Sequence, residues 1–201
     1  MPIVTSPVLP AGSFARLEQP VLDASVVLLR PWTNADAGAV VAAYNDPDIQ
    51  RWHARTMDED EAEAEAEAEA WVTHWSDRWA QETGAGWALQ VEGQVAGQVS
   101  LRRIDLHEAW VELSYWVLPA ARGRGVATAA LTAVTEWAFE LGVHRAELDH
   151  SSRNVASCRV ATKAGYLVEG TAVQRGLHAD GWHDMHLHAR ISTRQVRLSR
   201  W

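Results

Sequence analysis

An arginine- and glycine-rich turn lies between two segments that favour regular structure. It reads Arg122-Gly123-Arg124-Gly125-Val126-Ala127 and separates the strand-like run 109–118 from the alanine-rich helical run 128–142. The first amides of a helix lack intrahelical partners and carry the positive end of the helix dipole. Glycines there would let a phosphate approach, and the arginines would add charge. The turn is consistent with a pyrophosphate cradle, but an ordinary glycine-rich turn with solvated arginines fits these six residues equally well.

Two other phosphate-binding motifs do not fit this turn. A dinucleotide motif needs a third glycine after the first strand of its unit and an acidic residue about 20 positions further on. Here the pair Gly123 and Gly125 is followed by Ala127 and comes after four predicted strands. A P-loop needs Lys and Ser or Thr directly after its last glycine, and Val126 and Ala127 stand there instead. Both motifs are therefore excluded.

Three histidines near the end of the chain raise the question of a metal site. His186 and His188 share one face of a predicted strand, and His183 is close to them in sequence. No carboxylate or cysteine completes a ligand set at suitable spacing, so we predict no metal site. Cys158 is expected in the middle of a helix beside apolar neighbours, and we interpret it as a buried thiol rather than a nucleophile.

The composition is typical of a soluble globular protein. The chain has 201 residues, of which 47% are hydrophobic and 22% charged, enough for one domain with a sizeable core. Its single cysteine excludes an internal disulfide and favours a cytoplasmic location. No stretch approaches about 18 uncharged apolar residues, so we expect no membrane association. The formal charge of −8 argues against nucleic-acid binding.

An acidic tract at 58–69 accounts for this net charge, because it holds eight acidic residues and no basic one. Its Glu-Ala alternation has the period of a strand, but Ala and Glu favour helices. The tract also runs into Trp71, Trp75 and Trp79, which share one face of a helix. We therefore predict a helix over about 58–81, with the tract as a solvated face. Attraction of a cationic acceptor is the functional alternative.

The chain as a whole is predicted to form a single α+β domain at 25–192. An irregular arm at 1–24 precedes it, and a short basic tail at 193–201 follows. The predicted order of elements is β-α-α-β-β-β-α-β-α-β-β. The strand before the turn, the helix after it and the next strand form one crossover unit, and the other strands are mostly antiparallel. Residues 48–56 are interpreted as a loop.

Four segments, in order along residues 26–190, form a recognisable set. They are the opening strand Val27-Leu28-Leu29-Arg30-Pro31-Trp32, the turn Arg122-x-x-Gly125-x-Ala127, the run Asn154-x-x-Ser157-x-x-Val160-x-x-Lys163-x-Gly165-Tyr166, and the pair Gly181-x-x-Asp184. The set resembles the GNAT acetyltransferase superfamily, in particular its ribosomal-protein N-terminal acetyltransferase branch. Ala127 stands where the family motif can have its last glycine. The acidic tract and the proline-rich arm match no motif of the family.

The resemblance implies a role for each matching residue. The pyrophosphate of acetyl-CoA would bind the backbone amides of Arg122, Gly123, Arg124, Gly125, Val126 and Ala127. The pantetheine arm and the thioester carbonyl would bind the strand end formed by Trp116, Val117 and Leu118. Asn154 and Ser157 would line the channel, and Ser157 would protonate or hydrogen-bond the departing thiolate. Glu112 would be the base, with His53 and His150 as weaker candidates. A salt-bridged carboxylate and a helix hydroxyl bonded to backbone are the structural alternatives for Glu112 and Ser157.

The resemblance also implies a fold and an activity. The fold would be GNAT-like, a mostly antiparallel sheet of six to seven strands flanked by about four helices. The activity would be direct transfer of acetyl from acetyl-CoA, a cosubstrate rather than a permanently bound cofactor, to a primary amine in a ternary complex. The acceptor would be a protein N-terminus or a small-molecule amine, and a non-catalytic acyl-CoA sensor is the remaining alternative. A homodimer is considered as well.

Overall fold

The computed structural model describes residues 6–53 and 60–194. Three segments lie outside the described residues. They are the first five residues of the predicted arm, residues 54–59 at the end of the predicted loop and the start of the acidic tract, and most of the predicted tail (195–201). Among the helices described, none has the length and apolar character needed to cross a bilayer.

The described strands form one sheet in the order β1-β2-β3-β4-β5-β6-β8-β7. Their bounds are β1 Leu22–Asp23, β2 Leu28–Pro31, β3 Ala85–Val91, β4 Gln94–Asp105, β5 Trp110–Val117, β6 Arg145–Ser151, β7 Leu167–His178 and β8 Gly181–Ile191. Only β5 and β6 are parallel among these pairs, which confirms the mostly antiparallel sheet with one crossover unit. Over residues 6–53 and 60–194 the sheet has eight strands rather than six to seven. The extra strand, β1, lies in the predicted arm and pairs with the start of β2.

Within the described residues five α-helices accompany the sheet, where about four were predicted. They are α1 Ala37–Tyr44, α2 Pro47–His53, α3 Glu61–Ala80, α4 Val126–Glu140 and α5 Val155–Lys163, and single 3-10 turns lie at Asn34–Asp36 and Pro119–Ala121. The extra helix, α2, occupies most of the segment interpreted as a loop. Asp46 Oδ1 accepts the amide of Ile49 at 2.9 Å, and Pro47 occupies the first helical position. Asp46 and Pro47 therefore begin a new helix after α1 has ended.

The alternating Glu-Ala segment is helical, as predicted. Asp60 caps α3 by accepting the amides of Ala62 and Glu63. Trp71, Trp75 and Trp79 are all buried, with 9%, 7% and 9% of their surface exposed. Trp79 belongs to the larger core between the sheet and α4 and α5, and the other two belong to a second core with α1. The tryptophan face of α3 is thus part of the core, whereas Glu65, Glu67 and Glu69 are exposed.

Candidate active site

The parallel strands β5 and β6 separate soon after they meet. They pair only at Trp110–Glu112 with 145–147, whereas β5 continues to Val117 and β6 to Ser151. A cleft of about 710 Å³ opens where the two strands diverge, and residues of both unpaired strand ends line it. Backbone groups along the open edge of β5 can therefore bind an extended ligand in place of a neighbouring strand.

The glycine-rich turn lies at one end of this cleft. Gly123 and Gly125 have φ of 76° and 81°, in the left-handed region that glycine adopts most readily. Gly125 is the N-cap of α4 and brings no capping side chain to the first turn of the helix. A Cβ at either glycine would meet no atom within 4 Å, so the space before the helix is open. The amides at the start of α4 are therefore well placed for an anion.

The two arginines of the turn already have carboxylate partners. Arg122 donates to Asp46 at 2.6 Å, to Asp48 at 2.7 Å and to the carbonyl oxygen of Val117 at 3.0 Å. Burial alone would raise the pKa of Asp46, but the hydrogen bond from Arg122 and the amides at the start of α2 hold it below its usual value. Arg124 contacts the exposed Glu92 at 2.7 Å. Arg122 therefore fixes the turn to the start of α2.

A pair of hydroxyl groups lies further along the cleft. The hydroxyl of Tyr115 on β5 is 2.8 Å from Oγ of Ser157 on α5. Asn154, the N-cap of α5, accepts the amide of Ser157 at 3.0 Å and so fixes the first turn of that helix. Burial raises the pKa of Tyr115 to about 12, although the hydrogen bond with Ser157 opposes this change. Tyr115 is therefore a protonated donor in the pH range of most enzymes.

Glu112 lies beside the cleft rather than in its lining. Its Oε1 accepts Nη2 of Arg102 at 2.5 Å, and 9% of the residue is exposed. Arg102 is the extra residue in β4 where the pairing register with β5 shifts between Leu101 and Arg103. Such a bulge redirects a side chain, and Arg102 itself lines the cleft. One oxygen of Glu112 is thus occupied by an arginine.

Helix α2 supplies the wall opposite α5. Trp52 and His53 line the cleft together with His178 of β7, and Nδ1 of His178 contacts the carbonyl oxygen of Arg51 at 3.1 Å. Burial lowers the pKa of His53, partly opposed by a hydrogen bond to the backbone of Tyr115. The imidazole of His53 is therefore neutral near pH 7. A neutral imidazole in this position is able to accept a proton.

The family model described as the acetyltransferase (GNAT) domain matches residues 27–167 of the chain. The chain belongs to the GNAT acetyltransferase family. It is an acetyl-CoA-dependent N-acetyltransferase, with acetyl-CoA as its cosubstrate. Family membership confirms the resemblance. The assignment as an enzyme excludes the alternative of a non-catalytic acyl-CoA sensor.

Relatives of this GNAT enzyme include proteins named for ribosomal substrates. YdaF of Bacillus subtilis strain 168, provisionally named a ribosomal N-acetyltransferase, is 28% identical over 160 residues, which cover 79% of this chain and 85% of YdaF. The ribosomal-protein-serine acetyltransferase of Escherichia coli K12 is 29% identical over 108 residues, covering 50% of this chain and 56% of the relative. The crystal structure of RimL, a ribosomal L7/L12 α-N-protein acetyltransferase in complex with coenzyme A, has a TM-score of 0.76 at 19% identity, covering 86% of this chain and 98% of RimL. It confirms the fold.

Most of the residues predicted from the sequence meet at the GNAT cleft. Nine of them line it: Trp116, Val117, Arg122, Gly123, Gly125, Val126, Ala127, Asn154 and Ser157. Leu118 instead donates its amide to the carbonyl oxygen of Ala96 at 2.8 Å. Three predicted residues do not line the cleft: Glu112, Leu118 and Arg124.

Tyr115 is a cleft residue that the sequence analysis did not select. It lies directly before the strand end that was selected, and alternation along β5 places it on the same face as Leu113 and Val117. This face of β5 packs against α4 and α5, the helices that follow the glycine-rich turn. The alternation of side chains along the strand could therefore have indicated Tyr115 from the sequence alone. Its contact with Ser157, 42 positions away, depends on the fold.

Proposed function

We propose that this GNAT enzyme transfers acetyl from acetyl-CoA to the N-terminal amine of a protein, by direct attack in a ternary complex. The observation that carries the proposal is the cleft between the diverging ends of β5 and β6. It has an anion-binding helix start at one end and the Tyr115–Ser157 hydroxyl pair within it. Such an arrangement holds both substrates at once, and direct transfer needs no covalent enzyme intermediate.

In this proposal the pyrophosphate of acetyl-CoA binds the backbone amides from Arg122 to Ala127. Arg159 and Lys163 of α5 also line the cleft and add positive charge for the phosphates. The pantetheine arm follows the open edge of β5 at Trp116 and Val117, where the backbone lacks a partner from β6. Arg122 acts mainly by holding the turn, because its guanidinium is already engaged by Asp46 and Asp48.

The reaction begins when the acceptor ammonium loses a proton. The free amine then attacks the thioester carbon, the attacking nitrogen releases its second proton to solvent, and the carbon–sulfur bond breaks as the amide forms and CoA leaves as the thiolate. Tyr115, held by Ser157, donates a hydrogen bond to the departing thiolate. Two groups are proposed for the base: Glu112, through a water molecule beside Arg102, and His53, which lines the cleft directly.

A ribosomal protein N-terminus is the acceptor that the relatives favour, since YdaF and the Escherichia coli relative are both named for ribosomal substrates. Such an enzyme would work in the cytoplasm. A small-molecule amine is the competing acceptor. Association into a homodimer stays a prediction; the exposed apolar side chains Leu167, Val173 and Leu177 on the edge strand β7 are consistent with it.

Acetyl-CoA binding is tested first, by isothermal titration with CoA. Gly125→Trp should abolish binding, because its side chain would fill the space before α4 and the residue would need a positive φ. The matched control is Gly93→Trp, at a hairpin glycine that also has a positive φ and open space but does not line the cleft. Equal binding by the Gly125 variant and the unmodified protein would contradict the proposed cradle.

The acceptor is tested with peptides that copy the N-termini of bacterial ribosomal proteins. Each peptide is assayed with a free and with a formylated α-amine, and CoA release and peptide mass are followed. We expect acetylation of the free α-amine only, with initial-rate patterns that intersect as in a ternary complex. Parallel patterns would contradict direct transfer. Turnover of polyamines or amino acids without turnover of any peptide would assign the enzyme to small molecules instead.

A further inference from the structure

Three histidines and the cysteine come together on one face of the sheet, outside the groups used in the proposed reaction. His150 lies on β6, His186 and His188 lie on β8, and Cys158 lies on α5. One ring nitrogen of each histidine and Sγ of Cys158 all lie within 4.8 Å of one another. The prediction of no metal site rested on spacing in the sequence, whereas the fold brings His150 and Cys158 to His186 and His188. The two missing ligands come from elements that are distant in the sequence.

The register of the sheet explains how the cluster forms. His150 is directly opposite His186 in the antiparallel pair β6 and β8, and His188 is two residues further along β8. All three side chains therefore share a face, and α5 brings Cys158 over that face. His183 has the opposite parity on β8 and instead contacts Ser151 Oγ at 2.8 Å. It does not belong to the cluster.

The hydrogen bonds of this cluster are incomplete. Nδ1 of His150 lies 2.8 Å from the carbonyl oxygen of Ser151, and Nε2 lies 3.0 Å from Nε2 of His188. If His150 donates through Nδ1, its Nε2 is bare and must accept a hydrogen bond from Nε2–H of His188. A neutral His188 then has a bare Nδ1, which is buried and receives no hydrogen bond from a donor among the described residues. Nδ1 of His186 is also buried and has no hydrogen-bond partner among the described residues.

A metal ion would remove the conflict between the two facing Nε2 atoms of His150 and His188. With a cation between the rings, Nε2 of His150 and Nε2 of His188 would both act as ligands, and both Nδ1 atoms would carry protons. His150 would keep its bond to the Ser151 carbonyl, the usual way in which a ligating histidine is oriented by its second nitrogen.

We propose that His150, Cys158, His186 and His188 bind a zinc ion in a tetrahedral site. Zinc prefers imidazole nitrogen at about 2.0–2.1 Å and thiolate sulfur at about 2.3 Å. Tetrahedral geometry then places the ligand atoms roughly 3.3–3.6 Å apart, so the side chains need to move only slightly. The Cys158 thiol releases one proton to solvent on binding, and the site has a net charge of one positive unit.

The place of the site in the fold gives it a structural role. It joins β6, β8 and α5, and the residue next to Cys158 is Ser157, the partner of Tyr115. His150 also lines the cleft, which offers the ion a path from solvent. Zinc would therefore fix α5, and with it the hydroxyl pair, against the sheet. It takes no part in the chemical steps proposed above.

The test uses the full chain without a histidine tag, first treated with a chelator and then titrated with Zn²⁺. We expect one ion per chain, a rise in the melting temperature, and no such rise with Mg²⁺ or Ca²⁺, which prefer oxygen ligands. Co²⁺ in place of Zn²⁺ should give the absorption of a tetrahedral site, with a thiolate-to-metal charge-transfer band. These readouts do not depend on CoA binding or turnover.

Two variants identify the ligands. Cys158→Ser and His186→Gln change residues that are only half-buried, and each should weaken Zn²⁺ binding at least about 10-fold, since even loss of an outer partner costs about 10–100-fold. Cys158→Ser should also remove the charge-transfer band. The control is His74→Gln, an exposed histidine on α3, which should bind like the unmodified protein. Binding that is absent, or equal in all four proteins, would overturn the proposal.

Discussion

The hydroxyl of Tyr115 lies 2.8 Å from Oγ of Ser157 and joins β5 to α5 where β5 and β6 have separated. Burial raises the pKa of Tyr115 to about 12, well above the value of about 8.5 for a free thiol. In the proposed reaction the phenol would therefore stabilise the departing thiolate by hydrogen bonding rather than by complete proton transfer.

Loss of that donor should slow the chemical step. Tyr115→Phe should lower kcat about 100-fold, the smaller end of the usual range for such a group, with the Kd for CoA nearly unchanged. Ser157→Ala should have a smaller effect, because it removes only the partner that holds the phenol. Steady-state kinetics and titration with CoA measure the two quantities. An unchanged kcat in Tyr115→Phe would exclude this role.

The left-handed backbone at Gly125 has a measurable effect on stability. Gly125→Ala should reduce the free energy of unfolding by about 1–2 kcal/mol, because a Cβ disfavours a φ of 81°. Gly38→Ala is the matched control, since Gly38 is exposed within α1 and a Cβ there meets nothing within 4 Å. It should raise stability by about 0.5–1 kcal/mol. Urea unfolding of both variants checks the difference in sign.

The contact between Arg122 and Asp46 should make stability depend on pH. The folded-state pKa of Asp46 is lowered, so its contribution is complete above the unfolded value of about 3.9 and is lost as pH falls through the folded value. Arg122→Ala should reduce the free energy of unfolding by about 1 kcal/mol at pH 7. The difference in the free energy of unfolding between Arg122→Ala and the unmodified protein should become smaller below about pH 4. Arg124→Ala, whose partner Glu92 is exposed, should show a smaller change at pH 7.

Proton removal from the acceptor is assigned by comparing two variants. If His53 is the base, His53→Gln should lower kcat/KM about 100-fold and remove the decline on the acid side of the pH profile. Because burial lowers the pKa of His53, that decline should begin below about pH 6.5 in the unmodified enzyme. If Glu112 is the base, the larger loss should occur in Glu112→Gln. Unchanged rates in both variants would reject both assignments.

Sequence patterns predicted the features that depend on neighbouring residues. The helix α3 followed from helix propensity and from the spacing of Trp71, Trp75 and Trp79, and both are local. The turn at Gly125 and the crossover unit around it followed from glycine placement. The helix α2 was missed, since residues 48–56 were interpreted as a loop, although its signal, Asp46 followed by Pro47, is local too.

Contacts between distant elements could not be predicted in this way. The extent of pairing between β5 and β6 depends on how helices pack on both faces, and the sequence of neither strand specifies it. The bulge that turns Arg102 toward Glu112 is a shift of one residue in register. The approach of His150 and Cys158 to the histidines of β8 requires three elements to be in place together.

The short pairing between β5 and β6 divides the sheet mechanically into two half-sheets, β1 to β5 and β6 to β8 with β7 at its edge. The two half-sheets are connected by three residue pairs between β5 and β6 and by the crossover helix α4. A bound pantetheine arm would add hydrogen bonds along the part of β5 that does not pair with β6, for as long as the ligand stays bound. Amide hydrogen exchange at 113–117 should therefore slow when CoA is added, while exchange in the β7–β8 hairpin stays the same.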